Sequence, residues 1–518
     1  MHENRETSVV AALSSPAQEG EKPNLGMNGT EESESAVIPM KEPNEGRPGQ
    51  PEEVLEGRAG AKENRGQSYT DPTQSGINVS PGLVAVRQRA QERKTEKFTN
   101  LLHHLTIDLL QTSYYALQRK ASPGVDGVTW TEYETGLDGR LVDLHSRVQR
   151  GAYRAQPSRR IYLPKPDGRQ RPIGIAALED KIVQQAVVTI LNEIYEVDFR
   201  GFSYGFRPGR HAHQALDALA VGIQRRRVNW ILDADIQGFF DTLNHEWLIR
   251  FLEHRVTDSR ILRLIQKWLK AGVSEDGTWS ESKLGTPQGA VISPLLANVY
   301  LHYVFDLWAE AWRSKIATGE LIFVRYADDL VVGFEYQADA ERFLKNFQER
   351  LAKFGLEVHP EKTRLIEFGK YAKGQRKQRG EGEPETFTFL GFTHQCGVGR
   401  QGGFVLKRTT VRKRMEAKLQ EVKESLRRRM HDTVEATGGW LRQVLQGYSQ
   451  YHAIPGNLEA LKRFRERIQQ HWRRTLRRRS QGSAPNEAWL ARLFARWLPR
   501  PRTLHPYPNV RFDAKYPR

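Results

Sequence analysis

Beyond an N-terminal stretch of 80 residues, this 518-residue chain reads as an α+β domain followed by an all-α one. Three observations carry that reading. Apolar runs rich in strand-forming residues recur at 229–240, 323–334 and 386–394. Between them, Leu178, Ile182, Ala186, Val187, Ile190 and Leu191 fall at helical intervals, and a second helix is predicted near 337–354. After residue 405 helical spacing takes over in a segment rich in Arg and Trp.

The elements follow in order. Residues 1–80, rich in Glu, Gly, Pro, Asn and Ser, are expected to be disordered and show no secretion signal. Helices are predicted over 83–105 and 107–121, then a turn-rich loop over 122–130. "RRIYLPKPDGRQRPIGI" (159–175) predicts two strands around the turn Pro166-Asp167-Gly168. In the strand 229–240, Ile231, Asp233 and Asp235 share one face. A Gly-rich loop precedes a helix in 285–308, with Ser293 as N-cap and Pro294 at the first helical position. The polar insert 370–385 reads as a mobile loop, and 386–394 as one strand. Three helices are predicted over 409–430, 434–453 and 458–480, with Val411, Met415, Leu419, Val422 and Leu426 as a packed stripe.

Charge is unevenly spread. The net is −7 over residues 1–80, +6 over 81–400 and +18 over 401–518. That last quarter suits a polyanion, and the chain contains no apolar span of the roughly 20 residues needed to cross a bilayer. Cys396 is the only cysteine, which excludes an intrachain disulfide and a multi-thiolate zinc site. A soluble, cytoplasmic, nucleic-acid-associated protein is expected.

"FVRYADDLVVGF" (323–334) sets Asp328 and Asp329 side by side between apolar strands. If Tyr326-Ala327-Asp328-Asp329 is the turn of a hairpin, Asp328 projects beyond the sheet, where another strand can bring up Asp235. Converging carboxylates repel unless a cation lies between them. Oxygen ligands of this kind suit Mg²⁺, and two such ions stabilise the attacking and leaving oxygens of a phosphoryl displacement. An isolated pair of aspartates in an exposed turn is the plainer alternative.

The order of "LDADIQGFFD", "GTPQGAVISPLLANVYL", "RYADDLVV", "GLEVHPEKT" and "FTFLGF" resembles the successive motifs of reverse transcriptases. "RRIYLPKPDGRQRPIGI" and "GFSYGFRPGR" (201–210) look like the finger motifs of the group II intron-encoded branch. The resemblance implies a right-hand polymerase: fingers and palm with an antiparallel palm sheet over 81–400, core motifs at about 145–394, and a helical thumb and maturase domain over 401–518. It makes Asp235, Asp328 and Asp329 the catalytic carboxylates holding two Mg²⁺ ions. Asp233 becomes a polar neighbour.

Further roles follow by resemblance. Lys165 and Arg171 would clamp the triphosphate; a solvated basic hairpin is the alternative. Phe240 would exclude a ribose 2′-hydroxyl, and one of Phe239 and Phe240 is expected in the core. Gln288 and Gly289 would touch the nascent base pair, unless they form a plain helix-entry loop. Lys362 would protonate leaving pyrophosphate, or is a surface lysine. Arg207 would meet template or nucleotide phosphate. Arg473, Arg474, Arg477 and Arg478, beside Trp472, would bind RNA together with Trp440, Trp489 and Trp497, or form a solvated helix face. "QGYSQYHAIPGN" (446–457) resembles the maturase domain, although Tyr448 stands where relatives often carry Trp.

The implied partners are a group II intron RNA, an RNA template with DNA primer, dNTPs and a DNA target. With one Cys and no His/Cys cluster, no endonuclease domain is expected. A splicing-only maturase and a reverse transcriptase of a retron, diversity-generating or defence system are the rival readings.

Overall fold

The computed structural model describes residues 80–164, 170–275, 277–280, 284–286, 289–399, 401–479 and 486–515. Lys165, Gln288, the turn 166–168 and the acidic segment 1–79 lie outside the described residues.

Eleven strands occur among the described residues. They are β1 (Ser158–Pro164), β2 (Gln170–Ile175), β3 (Trp230–Ala234), β4 (Val273–Glu275), β5 (Thr278–Ser280), β6 (Leu321–Tyr326), β7 (Asp329–Phe334), β8 (Arg364–Glu367), β9 (Phe387–Phe389), β10 (Phe392–Val398) and β11 (Phe404–Thr410). They build three sheets, ordered β2-β1-β4-β5, β6-β7-β3-β8 and β11-β10-β9. The second is antiparallel throughout, with Asp233 of β3 opposite Val331 on one side and Arg364 on the other.

Alternation along this central sheet sorts its side chains into two cores, since successive strand residues face opposite ways. Leu232, Ala234, Phe323, Leu330, Val332 and Phe334 join the larger core with the helices Leu178–Asp198, Ser293–Leu301 and Gln337–Ala352. Ile231, Val324, Val331 and Ile366 turn the other way, onto the helix Ala212–Arg225 and the Phe387, Phe389 and Phe392 rings. A third core lies within the C-terminal helices Arg412–Arg428, Val434–His452, Leu458–Arg478 and Glu487–Trp497. Met415, Leu419, Val422 and Leu426 of the predicted stripe belong to it, whereas Val411 is the half-buried N-cap of the first of these helices.

Several elements depart from the sequence reading. The first helix ends at Glu92, and only a short 3-10 turn, Leu102–His104, follows before Ile107. The Asp258 carboxylate accepts from the amides of Leu101 and Leu102 at 2.7 and 2.9 Å, donors that a continuing helix would have used internally. The strand predicted to run to Phe240 stops at Ala234. Gly238, at φ 55°, turns the chain into the short helix Phe239–Thr242. Ile292, not Ser293, takes the cap position before the helix Ser293–Leu301. Residues 386–394 are a hairpin rather than one strand, because Leu390 and Gly391 both adopt positive φ and make a two-residue turn. The polar insert contains the helix Ala372–Gln378, anchored by buried Ala372 and by Arg376 and Arg379 on Glu367 and Glu381. β10 and β11 pair across seven residues, so the boundary expected at 400 falls between two partnered strands. No helix among the described residues is long and apolar enough to cross a membrane.

Candidate active site

β6 and β7 pair down to Tyr326 opposite Asp329, which leaves Ala327 and Asp328 as the two turn residues. Ala327 holds φ 56°, a left-handed conformation costing a residue with a Cβ roughly 1–2 kcal/mol. The turn sends Asp328 past the sheet edge. β3 pairs Ala234 with Leu330, so the next residue, Asp235, leaves the sheet beside that turn. Burial pushes the Asp328 carboxyl up to about 6, and the Asp235 charge adds to the rise. Arg171 and Lys362 oppose it, so all four groups share one electrostatic neighbourhood.

The "HPEKT" segment wraps Asp235. Its carbonyl accepts from the His359 amide at 2.8 Å and its own amide donates to Thr363 Oγ1 at 3.4 Å. Lys362 Nζ lies 3.4 Å from Asp235 Oδ2, both side chains being 16% exposed. Lys362 is therefore at the carboxylates rather than on open surface. Asp233 has its own cation, Arg364, at 3.7 Å, and burial pushes its carboxyl up to about 7. Asp329 opens β7 and is half-buried. Among the described residues no group of three or more His, Cys, Asp or Glu gathers closely enough to hold a metal ion unaided. The described residues thus do not by themselves close a three-carboxylate cage, and the link within that trio is the rise that the Asp235 charge adds at Asp328. Two hard oxygen donors, one of which raises the proton affinity of the other, fit a divalent cation that keeps water or phosphate for its remaining positions. Reverse transcriptases as a family generally use such ions.

Around this pair, Arg171 sits opposite Leu163 in the β1–β2 hairpin, placing the fingers within reach of Asp328. Phe239 is buried against Tyr300, as expected for one ring of the pair, while Phe240 is half-buried and packs against the same core. The Phe240 carbonyl accepts from Thr286 at 2.8 Å, which ties the glycine-rich loop to the aromatic pair. Gly289 holds φ 113°, a conformation that favours glycine.

Three predicted nucleic-acid contacts are overturned by burial. Arg207 is expected at a phosphate, but its guanidinium is 2% exposed, held by Glu196 at 3.0 Å and by the carbonyls of Arg200 and Ser203 at 2.8 Å. Trp472 and Trp440 are core residues, the former fully buried, so neither ring is presented to bases. Arg473 and Arg477 are engaged with Glu487. Arg474 and Arg478 are exposed and form no ion pair among the described residues, and Trp489 is 39% exposed.

Sequence reasoning missed the support beneath the turn. Arg325, in the "RYADD" run, is fully buried and its Nε and Nη2 meet the Asp306 carboxylate at 2.7 and 2.6 Å. The available signal was a charged residue in phase with the buried side chains of an apolar strand, which demands a buried partner.

The chain matches the family described as Reverse transcriptase (RNA-dependent DNA polymerase) over residues 163–394. It is 35% identical over 254 residues to Protein YkfC of Escherichia coli (strain K12), covering 43% of this chain and 66% of that protein. It is also 35% identical over 222 residues to the group II intron-encoded protein LtrA of Lactococcus lactis subsp. cremoris, covering 42% of this chain and 37% of LtrA. An uncharacterized 91 kDa protein in the cob intron of Schizosaccharomyces pombe is 29% identical over 316 residues, covering 50% of this chain and 38% of that protein. The chain thus spans just under two thirds of the first of these relatives and less than two fifths of the other two. With the matched span enclosing Arg171, Asp235, Asp328 and Lys362, the chain belongs to the reverse transcriptase family, in the branch of the group II intron-encoded proteins.

Proposed function

We propose that the chain is an RNA-directed DNA polymerase that also binds a group II intron RNA and promotes its splicing and mobility. The observation that carries the reading is the meeting of Asp235 and Asp328 at the sheet edge with Arg171 and Lys362 beside them. Bound Mg²⁺, as two ions, would neutralise the charge that develops on the attacking and leaving oxygens. Asp235 and Asp328 hold the ions in this reading, with Asp329 as the third acidic group by the primer end. Arg171, with Lys165, binds the triphosphate of the incoming dNTP, since a guanidinium fork matches phosphate oxygens. Lys362, 3.4 Å from Asp235, carries a proton for the leaving pyrophosphate. Phe240 excludes the ribose 2′-hydroxyl, and Gln288 and Gly289 border the nascent base pair.

Exposed Arg474 and Arg478 neutralise RNA phosphates on the helical domain. In this reading the protein works in the cytoplasm of a bacterial-type cell, where intron RNA and its DNA target meet. The test is Mg²⁺-dependent dNTP incorporation on a primed RNA template, together with splicing of the flanking intron RNA. Wild-type protein is expected to do both. Failure of the folded wild-type protein to extend any primer would overturn the reading.

A further inference from the structure

The turn that carries Asp328 is not self-supporting. Its first residue, Ala327, is held at positive φ without being glycine. Two contacts reach it from below, from Arg325 and Gly205, and Asn298 ties those two residues together. Arg325 Nη1 donates to the Ala327 carbonyl at 3.1 Å while also donating to Asn298 Oδ1 at 2.9 Å. Asn298 Nδ2 in turn donates to the Gly205 carbonyl at 2.8 Å. Gly205 lies directly against the turn, and a Cβ there would overlap the Ala327 backbone nitrogen.

The rest of Arg325 is spent on Asp306, and both side chains are wholly buried. Asp306 comes from a π-helical turn, His302–Asp306, inserted between the helices Ser293–Leu301 and Leu307–Lys315. An inserted residue of this kind shifts the phase of the following side chains, and such bulges are frequent at functional sites. The Arg325 backbone also pairs with the 202–204 loop, its amide to the Phe202 carbonyl at 2.9 Å and its carbonyl to the Tyr204 amide at 2.8 Å. Arg207, the residue expected at phosphate, instead fixes that same loop through the carbonyls of Arg200 and Ser203.

We infer that Arg325, oriented by Asp306 and Asn298, is a positioning residue that holds the Ala327-Asp328 turn in its strained conformation and so sets the geometry of divalent-ion binding. The guanidinium is the right group for this. Its planar fork engages a carboxylate with two nitrogens and leaves a further N–H for the carbonyl, which an ammonium on a flexible stem does not reproduce. The inference rests on the proposed polymerase reading for its functional readout, and its structural readout is independent of that reading.

The experiment compares wild-type protein with Arg325→Lys, with the double variant Arg325→Met/Asp306→Leu, and with Gly205→Ala. The double variant removes both buried charges together, so no unpaired ion is left inside. Hydrogen–deuterium exchange in peptides covering 321–334 is read first, without metal or nucleic acid. The expected result is exchange roughly tenfold faster at the turn than in wild type, with the C-terminal helices unchanged. In primer extension, the Mg²⁺ concentration for half-maximal rate is expected to rise roughly tenfold, while the dNTP KM moves little. Unchanged turn exchange in folded variants would overturn the inference. Loss of the folded state by the double variant would also overturn it, by making the pair a folding determinant instead. If wild type fails to extend primers, the polymerase reading falls, and the exchange data still decide what Arg325 does.

Discussion

Arginine serves opposite purposes in the reverse transcriptase domain and in the C-terminal helices. Arg325 and Arg207 are 0% and 2% exposed, and each is saturated by a carboxylate and backbone carbonyls. Arg474 and Arg478 stand in solvent on the helix Leu458–Arg478, outside any ion pair among the described residues. A buried guanidinium is worth keeping only where its full set of donors is met, because an unpaired charge inside the protein is costly. An exposed one costs little and remains available to a polyanion. The reverse transcriptase domain therefore uses buried arginine to fix local geometry, and on the proposed reading the helical domain offers it outward to phosphate.

The largest effect that could break this contrast comes from Asp328→Ala. It is expected to lower dNTP incorporation by roughly a thousandfold or more, because charge stabilisation at the reacting phosphate is lost. Affinity for intron RNA and assisted splicing are expected to stay near wild type. Equal loss of polymerisation and RNA binding in a folded variant would mean the two regions are not separate in function.

The reciprocal change, Arg474→Gln with Arg478→Gln, is expected to weaken RNA binding about three- to tenfold at moderate salt. It should also flatten the slope of log K against log salt by about 1 to 2. Extension of a short, saturating primer–template should be unaffected. A filter-binding series across salt concentrations reads the first outcome, and an unchanged salt slope would return these arginines to the role of a solvated helix face.

The smallest effect is a pH dependence of stability confined to the palm. The folded Asp328 carboxyl is pushed up to about 6, above its ordinary value near 3.8. As pH rises from about 4 to 6, the unfolded chain gives up this proton while the folded one retains it, so stability falls. The full penalty, at most about 2–3 kcal/mol, holds above pH 6. Asp328→Asn is expected to shrink that decline in metal-free protein to the share left by other raised carboxyls such as Asp233, to melt higher than wild type above pH 6, and to match it below pH 4. Added Mg²⁺ should stabilise wild type and not the variant. Parallel melting curves for the two proteins across pH 4–7 would contradict the assignment.

Much of the architecture was legible because it depends on local periodicity. The two-residue turn at Ala327-Asp328, the helix following Ala177 and the packed stripe from Met415 to Leu426 all follow from spacing along one element. What was illegible depends on partners far apart in sequence. Past Glu92 the chain is held by Arg255, which donates to the Arg93 and Glu96 carbonyls, and by Asp258, which accepts from the Leu101 amide 157 residues away, and nothing near Glu92 announces either. The polar insert looked unstructured because its helix is held by Glu367, outside the insert. Arg207 and Trp472 were read by residue type, and burial reversed both. At the site, motif order pointed to Asp235, Asp328 and Lys362. Their support by Arg325, Asn298 and Gly205 needed the three-dimensional meeting of separate segments.

The central claim is that Asp235 and Asp328 together hold a divalent ion. Crystals grown with Mn²⁺, a primer–template and an incoming dNTP test it most directly by anomalous diffraction. The account predicts an anomalous peak within bonding distance of a carboxylate oxygen of both residues. A peak bound by only one of them, or placed elsewhere while the nucleotide is correctly paired, would contradict it.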